Sequence, residues 1–222
     1  MPEMNPQPCK TDQSEVLSLF ARHSFEQHFQ TNSTLLLHGE PADAVYLVAS
    51  GTVRCCTIDA DGSRQIFSFQ RKGEVVGITD MDYWHFTAEA VDHVIVKSMP
   101  KSILEQELAV NVALRHEIRA WVRGLLAERE RQLLMLSKSK GPDRLLHFLQ
   151  DYAAKRPTSG FVVLPMCRRD IGDHIGLSTE AVSRAFSHLK RAGLIELKSC
   201  EKYRIVDDPK GNLAALPNIK PV

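Results

Sequence analysis

Residues 168 to 190 read Arg-Arg-Asp-Ile-Gly-Asp-His-Ile-Gly-Leu-Ser-Thr-Glu-Ala-Val-Ser-Arg-Ala-Phe-Ser-His-Leu-Lys. Their pattern is two short helices joined at Gly176-Leu177-Ser178. Gly176 suits the left-handed conformation that ends a helix, and Ser178, with Glu180 or Ala181 beyond it, suits the cap of the next, which should run to about Lys190. Ile171, Ile175, Leu177, Val182, Phe186 and Leu189 give the pair a shared apolar seam. That seam leaves Thr179, Glu180, Ser183, Arg184 and Ser187 outside, a run of small polar side chains with one arginine, which the floor of a DNA major groove can accept. The competing reading is an ordinary helical hairpin inside a core.

Working outward, Leu194 to Leu197 and Tyr203 to Val206 read as a hairpin around Lys198-Ser199-Cys200-Glu201-Lys202, with basic residues at its tip. Upstream lies a short strand, Phe161 to Leu164, after the turn Arg156-Pro157-Thr158-Ser159-Gly160. Before that turn, Arg144 to Ala154 carries Leu145, Leu146, Phe148, Leu149 and Tyr152 on one side, behind the break at Gly141-Pro142-Asp143. Together these form a winged helix-turn-helix. Charge follows the same division: from Lys140 onward there are 14 Lys/Arg against 9 Asp/Glu, whereas the preceding segment holds 14 against 18. The basic half is the one that would face phosphates.

The chain has 222 residues, enough for two modest domains, with an apolar fraction of 43% and a charged fraction of 25% that suit packed cores. From Thr34 to Met99 short apolar runs alternate with turns: Leu35-Leu36-Leu37, Val45-Tyr46-Leu47-Val48, Thr52 to Ile58, the Asp61-Gly62 turn, Arg64 to Phe69, and Val94-Ile95-Val96. An antiparallel barrel or roll is the economical fold. After Pro100 a helical pattern runs from Lys101 to about Lys138, with room for a shorter helix before the long one. Val122, Leu126, Arg129, Leu133 and Leu136 step through it by four, three, four and three, the spacing of a coiled-coil seam. Ile118, Trp121 and Leu125 are candidates for packing on the roll instead. The fold class expected is therefore α+β, with a sensor-like β-roll after an N-terminal extension (1–100), a long dimerisation helix (101–140) and a C-terminal winged helix-turn-helix (141–222).

These residues carry a resemblance to the CRP/FNR family of bacterial regulators, nearest its FixK branch. The landmarks are Leu37-His38-Gly39-Glu40, Ala49-Ser50-Gly51-Thr52-Val53, Lys72-Gly73-Glu74, Leu133-Leu134-Met135-Leu136-Ser137, Leu164-Pro165-Met166 and, most specific, Glu180-Ala181-Val182-Ser183-Arg184, which fits the E-x-x-S-R pattern of FNR-type recognition helices. The resemblance implies a homodimeric transcription regulator, an activator that works with RNA polymerase. It implies that Glu180, Ser183 and Arg184 read a palindrome of the TTGAT-N4-ATCAA type. It also implies control of genes for low-oxygen respiration, denitrification or nitrogen fixation. Arginine can form a bidentate pair with guanine, glutamate can accept from a cytosine amino group, and serine can sit beside a thymine methyl. Arg168 and Arg169, with Ser178, Thr179, Ser187 and Lys202, are expected on backbone phosphates.

Cyclic-nucleotide-binding members hold the phosphate with an arginine, but between Arg71 and Lys97 there is none, and Asp80 and Asp82 stand where the phosphate cassette should lie. No bound cyclic AMP is expected. Iron–sulfur members of the family use clustered N-terminal cysteines, and here only Cys9 is near the N-terminus, so no cluster is expected. Haem is an alternative, with His23, His28, His38, His85 and His93 as the candidate ligands. The remaining cysteines, Cys55, Cys56, Cys167 and Cys200, have neither disulfide nor metal-motif spacing. Cys167, beside Arg168-Arg169 and near a helix start, is the candidate redox switch: an oxidised, negative sulfur there would repel DNA. Rival readings are a ligand-gated regulator that binds a nucleotide or haem, and a regulatory nucleotide-binding module of an enzyme complex. No nucleophile elbow, Walker loop or paired metal motif suggests catalysis. No transmembrane run or secretory leader is recognisable, so a cytoplasmic protein without a membrane partner is expected.

Overall fold

The computed structural model describes residues 14–138, 140–154 and 160–206. Cys9, the turn at Arg156-Pro157-Thr158-Ser159 and the tail beyond Val206 lie outside the described residues. The first half contains α1 (Glu15–His23), β1 (Phe25–Phe29), β2 (Thr34–Leu36), β3 (Ala44–Ser50), β4 (Thr52–Ile58), β5 (Arg64–Arg71), β6 (Val75–Val76), β7 (Thr87–Ala90) and β8 (Val94–Pro100). It continues with α2 (Lys101–Val110) and α3 (Val112–Lys138). The second half contains α4 (Gly141–Ala154), β9 (Val162–Val163), α5 (Arg168–Ile175), α6 (Thr179–Arg191), β10 (Ile195–Leu197) and β11 (Lys202–Ile205). Two compact units result, one built from residues up to Thr57 with Ser68–Arg129, the other from Ile58–Phe67 with Glu130 onward.

The first half of the chain folds as an antiparallel β-roll of two four-stranded sheets, ordered β1-β8-β3-β6 and β2-β7-β4-β5, with Arg64–Phe67 of β5 falling in the second unit. β3 pairs with β8 from Ala44↔Pro100 to Ser50↔Ile95, with a bulge between Val48 and Ser50. Both faces of these strands are covered: Val45 and Leu47 of β3 share one face with Met99 of β8, Val94 and Val96 of β8 lie on the other, and all five are buried. One core cluster joins Val45, Leu47 and Met99 to Leu104 of α2, Leu114 and Ile118 of α3, and Val16, Leu19 and Phe20 of α1. Each such side chain contributes about 1.5–3 kcal/mol when fully buried. Trp121 packs against the same cluster, as expected with Ile118, whereas Leu125 is 41% exposed.

Alternation in the sequence starts the strands at Thr34, and the structure adds α1 and β1 before them. α1 is only nine residues long, with three buried apolar positions, which is too short for periodicity to announce it. Its start is held from outside the helix: the Glu117 carboxylate of α3 accepts from the amides of Glu15 (2.8 Å) and Val16 (3.3 Å) and from the Ser14 hydroxyl, and Ser14 Oγ accepts from Leu17 N. A carboxylate against a helix N-terminus satisfies orphan donors and complements the helix dipole. α2 and α3 are separate because Asn111 is extended (φ −94°, ψ 106°), its side chain accepting from Leu114 N at 3.0 Å.

Inside the roll, Arg54 donates to Glu89 (2.8 Å) and to Asn32 (3.1 Å), so this buried arginine is engaged within the sheets. Trp84 and Phe86 are buried, and a Cβ at Gly77 would come within 2.8 Å of the Trp84 ring. That close approach requires glycine there. Cys55 and Cys56 of β4 are buried, and burial pushes the Cys55 thiol up to about 12, against the opposing hydrogen bond from Ser68. Among the described residues no helix is long and apolar enough to cross a membrane.

Candidate nucleic-acid interface

α5 and α6 form the helix pair that the sequence specified. Gly176 takes the left-handed conformation (φ 67°, ψ 47°) at the end of α5, and Ser178 Oγ accepts from Ala181 N at 3.2 Å to cap α6. The turn between them is tight: Leu177 N donates to Gly172 O, and a Cβ at Gly172 would lie 2.4 Å from Leu177 O. Ile171, Ile175, Val182, Phe186 and Leu189 are buried as the seam requires, while Leu177 is half-buried. Behind them α4 supplies Leu145, Leu146, Phe148, Leu149 and Tyr152. The wing is a three-stranded sheet, β10-β11-β9, tied to α4 by the fully buried Tyr203, whose hydroxyl donates to Leu149 O at 2.6 Å.

On the opposite face Thr179, Glu180, Ser183, Arg184 and Ser187 are all exposed. Ser183 Oγ donates to Thr179 O (3.0 Å) and Ser187 Oγ to Ser183 O (3.1 Å). With their protons turned back into the helix, both hydroxyls present lone pairs outward and act as acceptors. Glu180 has its carboxyl held below the usual range by its own backbone amide first, then by the Ser178 side chain, with a smaller contribution from Arg184. It is therefore an ionised acceptor beside a guanidinium donor, a pair matched to a C·G step.

The expected phosphate-binding residues divide. Arg169, Ser178 and Lys202 are exposed. Arg168 is half-buried instead: its guanidinium lies 3.4 Å from the Phe186 ring centroid and donates to Cys200 O at 2.7 Å. Burial lowers its pKa. Arg168 thus joins α5 to α6 and to the wing loop, a role that spacing alone could not reveal. Cys167 is an exposed free thiol at the N-cap position of α5, where its side chain makes no capping bond, and Cys200 is likewise exposed and free.

A second tie enters this unit from the Ile58–Phe67 segment. Arg64 Nε donates to Asp173 (2.8 Å) and its Nη2 to the buried Asp170 (2.5 Å), while Ile66 O lies 3.1 Å from His174 Nδ1. Burial opposes the charge on Arg64, but the hydrogen bond to Asp173 and the two carboxylates raise its pKa overall. Sequence reasoning missed this triad, because Arg64 and Asp170 are 106 positions apart.

Along α3, Val122, Leu126 and Leu133 of the expected seam are 48%, 60% and 67% exposed, with Leu125 beside them. Leu136 and Arg129 are half-buried. Burial lowers the Arg129 pKa, and Arg129 lies near enough to Cys55 for the two to affect each other's ionisation. The five histidines named as haem candidates are all exposed, His28 bonded to Glu26 at 2.8 Å. Among the described residues no three His, Cys, Asp or Glu side chains are grouped to hold a metal.

A cyclic nucleotide-binding domain model matches residues 26–111, and a Crp-like helix-turn-helix domain model matches residues 143–211. The nitrogen fixation regulation protein FixK of Azorhizobium caulinodans is 32% identical over 184 residues, covering 81% of this chain and 74% of that protein. The chain belongs to the CRP/FNR family. Other CRP/FNR relatives include an anaerobic regulatory protein of Pasteurella multocida, 30% identical over 81% of this chain and 67% of that one. The solved structure of FixK2 from Bradyrhizobium japonicum superposes with a TM-score of 0.80 at 30% identity, covering 83% of this chain and 93% of its own. CRP/FNR proteins are DNA-binding transcription regulators, not enzymes, and this chain is one of them.

Proposed function

We infer that this CRP/FNR regulator reads a TTGAT-N4-ATCAA-type palindrome as a homodimer, with Glu180, Ser183 and Arg184 on the bases of each half-site. Arg169, Ser178, Thr179, Ser187 and Lys202 touch the backbone in this reading, and Arg168 supports it from within. The observation that carries the reading is the outward array on α6: an arginine fork, an ionised carboxylate and an acceptor hydroxyl within two helical turns. Two copies are needed because half-sites one helical turn apart mirror a protein two-fold. The exposed stripe Val122, Leu126 and Leu133, extended by the half-buried Leu136 with Arg129 beside it, is the surface on which they join.

The regulated genes belong to low-oxygen respiration, denitrification or nitrogen fixation, with activation through RNA polymerase. The names of the FixK and anaerobic regulatory relatives support that assignment. The regulator works without cyclic AMP, an iron–sulfur cluster or haem. In support, Trp84 fills the space against Gly77, Asp80 and Asp82 are on the same segment, Arg54 is engaged by Glu89, and the candidate haem histidines are all exposed. The test is a fluorescence titration of wild type and Arg184→Ala against the palindrome and a scrambled duplex. Wild type should prefer the palindrome and the variant should bind both alike; full preference in the variant removes Arg184 from the reading face.

A further inference from the structure

A cleft of about 340 Å3 runs beside the reading face, between α6 and the start of α4. Pro142, Leu177 and Ala181 line it with apolar surface, and Arg184, His188 and Arg191 stand along it with no acidic residue among the lining side chains. The three basic residues follow at intervals of four and three, so they share one stripe of α6, and all are exposed. Arg191 lies about 10 Å beyond Arg184 along the helix axis, two turns at 1.5 Å per residue.

We propose that this cleft seats the sugar–phosphate backbone of one DNA strand, with His188 and Arg191 on its phosphates and the Pro142–Leu177–Ala181 floor against the deoxyribose. The inference rests on the reading of α6 as the recognition helix. Such helices place their N-terminal residues on base edges, so their C-terminal turns emerge from the groove where the backbone passes. The cleft is continuous with the base-reading face through Arg184, which belongs to both. Its charge complements a polyanion, and its apolar floor matches the carbon face of a sugar. Cations in the last turn of a helix also complement the helix dipole, but that role requires neither a cleft nor alignment with the reading arginine.

The experiment is a salt series of binding titrations with the full chain, using a duplex bearing TTGAT-N4-ATCAA and a scrambled duplex, for wild type, Arg191→Gln, His188→Gln and Arg191→Lys. For Arg191→Gln the plot of log affinity against log salt should become shallower by about 0.9 for the phosphate that is no longer neutralised, and His188→Gln should weaken binding through its lost hydrogen bond, each equally on both duplexes. Preference for the palindrome should persist in the glutamine variants, and Arg191→Lys should restore most of the slope. An Arg191→Gln variant that melts with wild type and keeps its salt slope, together with a His188→Gln variant that keeps its affinity, would reduce these residues to dipole partners and overturn the cleft. A wild-type chain with no palindrome preference would instead overturn the recognition-helix reading.

Discussion

Arg168 and Arg169 are neighbours in sequence with different physical work to do. Arg169 is exposed and should act as a point of attraction for phosphate: Arg169→Ala should weaken binding to every duplex and reduce the salt slope by about 0.9 for the phosphate it neutralises, read from titrations at several salt concentrations. Arg168 is half-buried on Phe186 and bonded to the wing loop, so Arg168→Ala should lower the melting temperature as well as affinity. Cation–π interactions of this kind are worth about 0.5–2 kcal/mol. Cys167 precedes both and is exposed at the α5 N-cap. Peroxide oxidises the thiol to a sulfinate or sulfonate, whose negative charge the thiol lacks, where the backbone would pass. Peroxide should abolish DNA binding by wild type and spare Cys167→Ser; equal loss in both would exclude the cysteine as the switch.

Elements differ in how openly the sequence declares them. α5, α6 and the wing are legible because glycine, a capping serine and apolar residues at helical spacing all agree within about 40 residues. The roll is legible through its turns. α1 is not, since nine residues hold too little pattern, and its stability is borrowed from Glu117 on α3. Glu117→Ala should therefore loosen α1, seen as faster amide hydrogen exchange over 15–23 and a stability loss of about 0.5–2 kcal/mol, typical of removing a cap. Nor could spacing show that α5 is gripped through Asp170 and Asp173 by Arg64, or that Arg168 is drawn inward. Both depend on partners brought close only by folding. Breaking a buried ion pair from one side costs about 3–5 kcal/mol, so Arg64→Ala should destabilise the unit that holds α5 by that order in denaturant unfolding. A Cβ at Gly172 meets a backbone oxygen, so Gly172→Ala should damage the turn that aims α6.

At the scale of the whole molecule, the proposed function asks two surfaces to act together: the exposed apolar stripe on α3 and the exposed polar face of α6. The stripe matters because a single helix-turn-helix touches few bases, whereas a two-fold pair doubles their number and fixes the spacing of half-sites. Leu126→Glu with Leu133→Glu should yield a monomer by sedimentation that binds the palindrome far more weakly than wild type, with its roll still folded. The most direct measurement is to let the purified wild-type protein select from a random duplex library and to sequence what it retains. The predicted result is an inverted repeat with TTGAT-like halves four base pairs apart. Recovery of sequences without two-fold symmetry, or no enrichment at all, would contradict it.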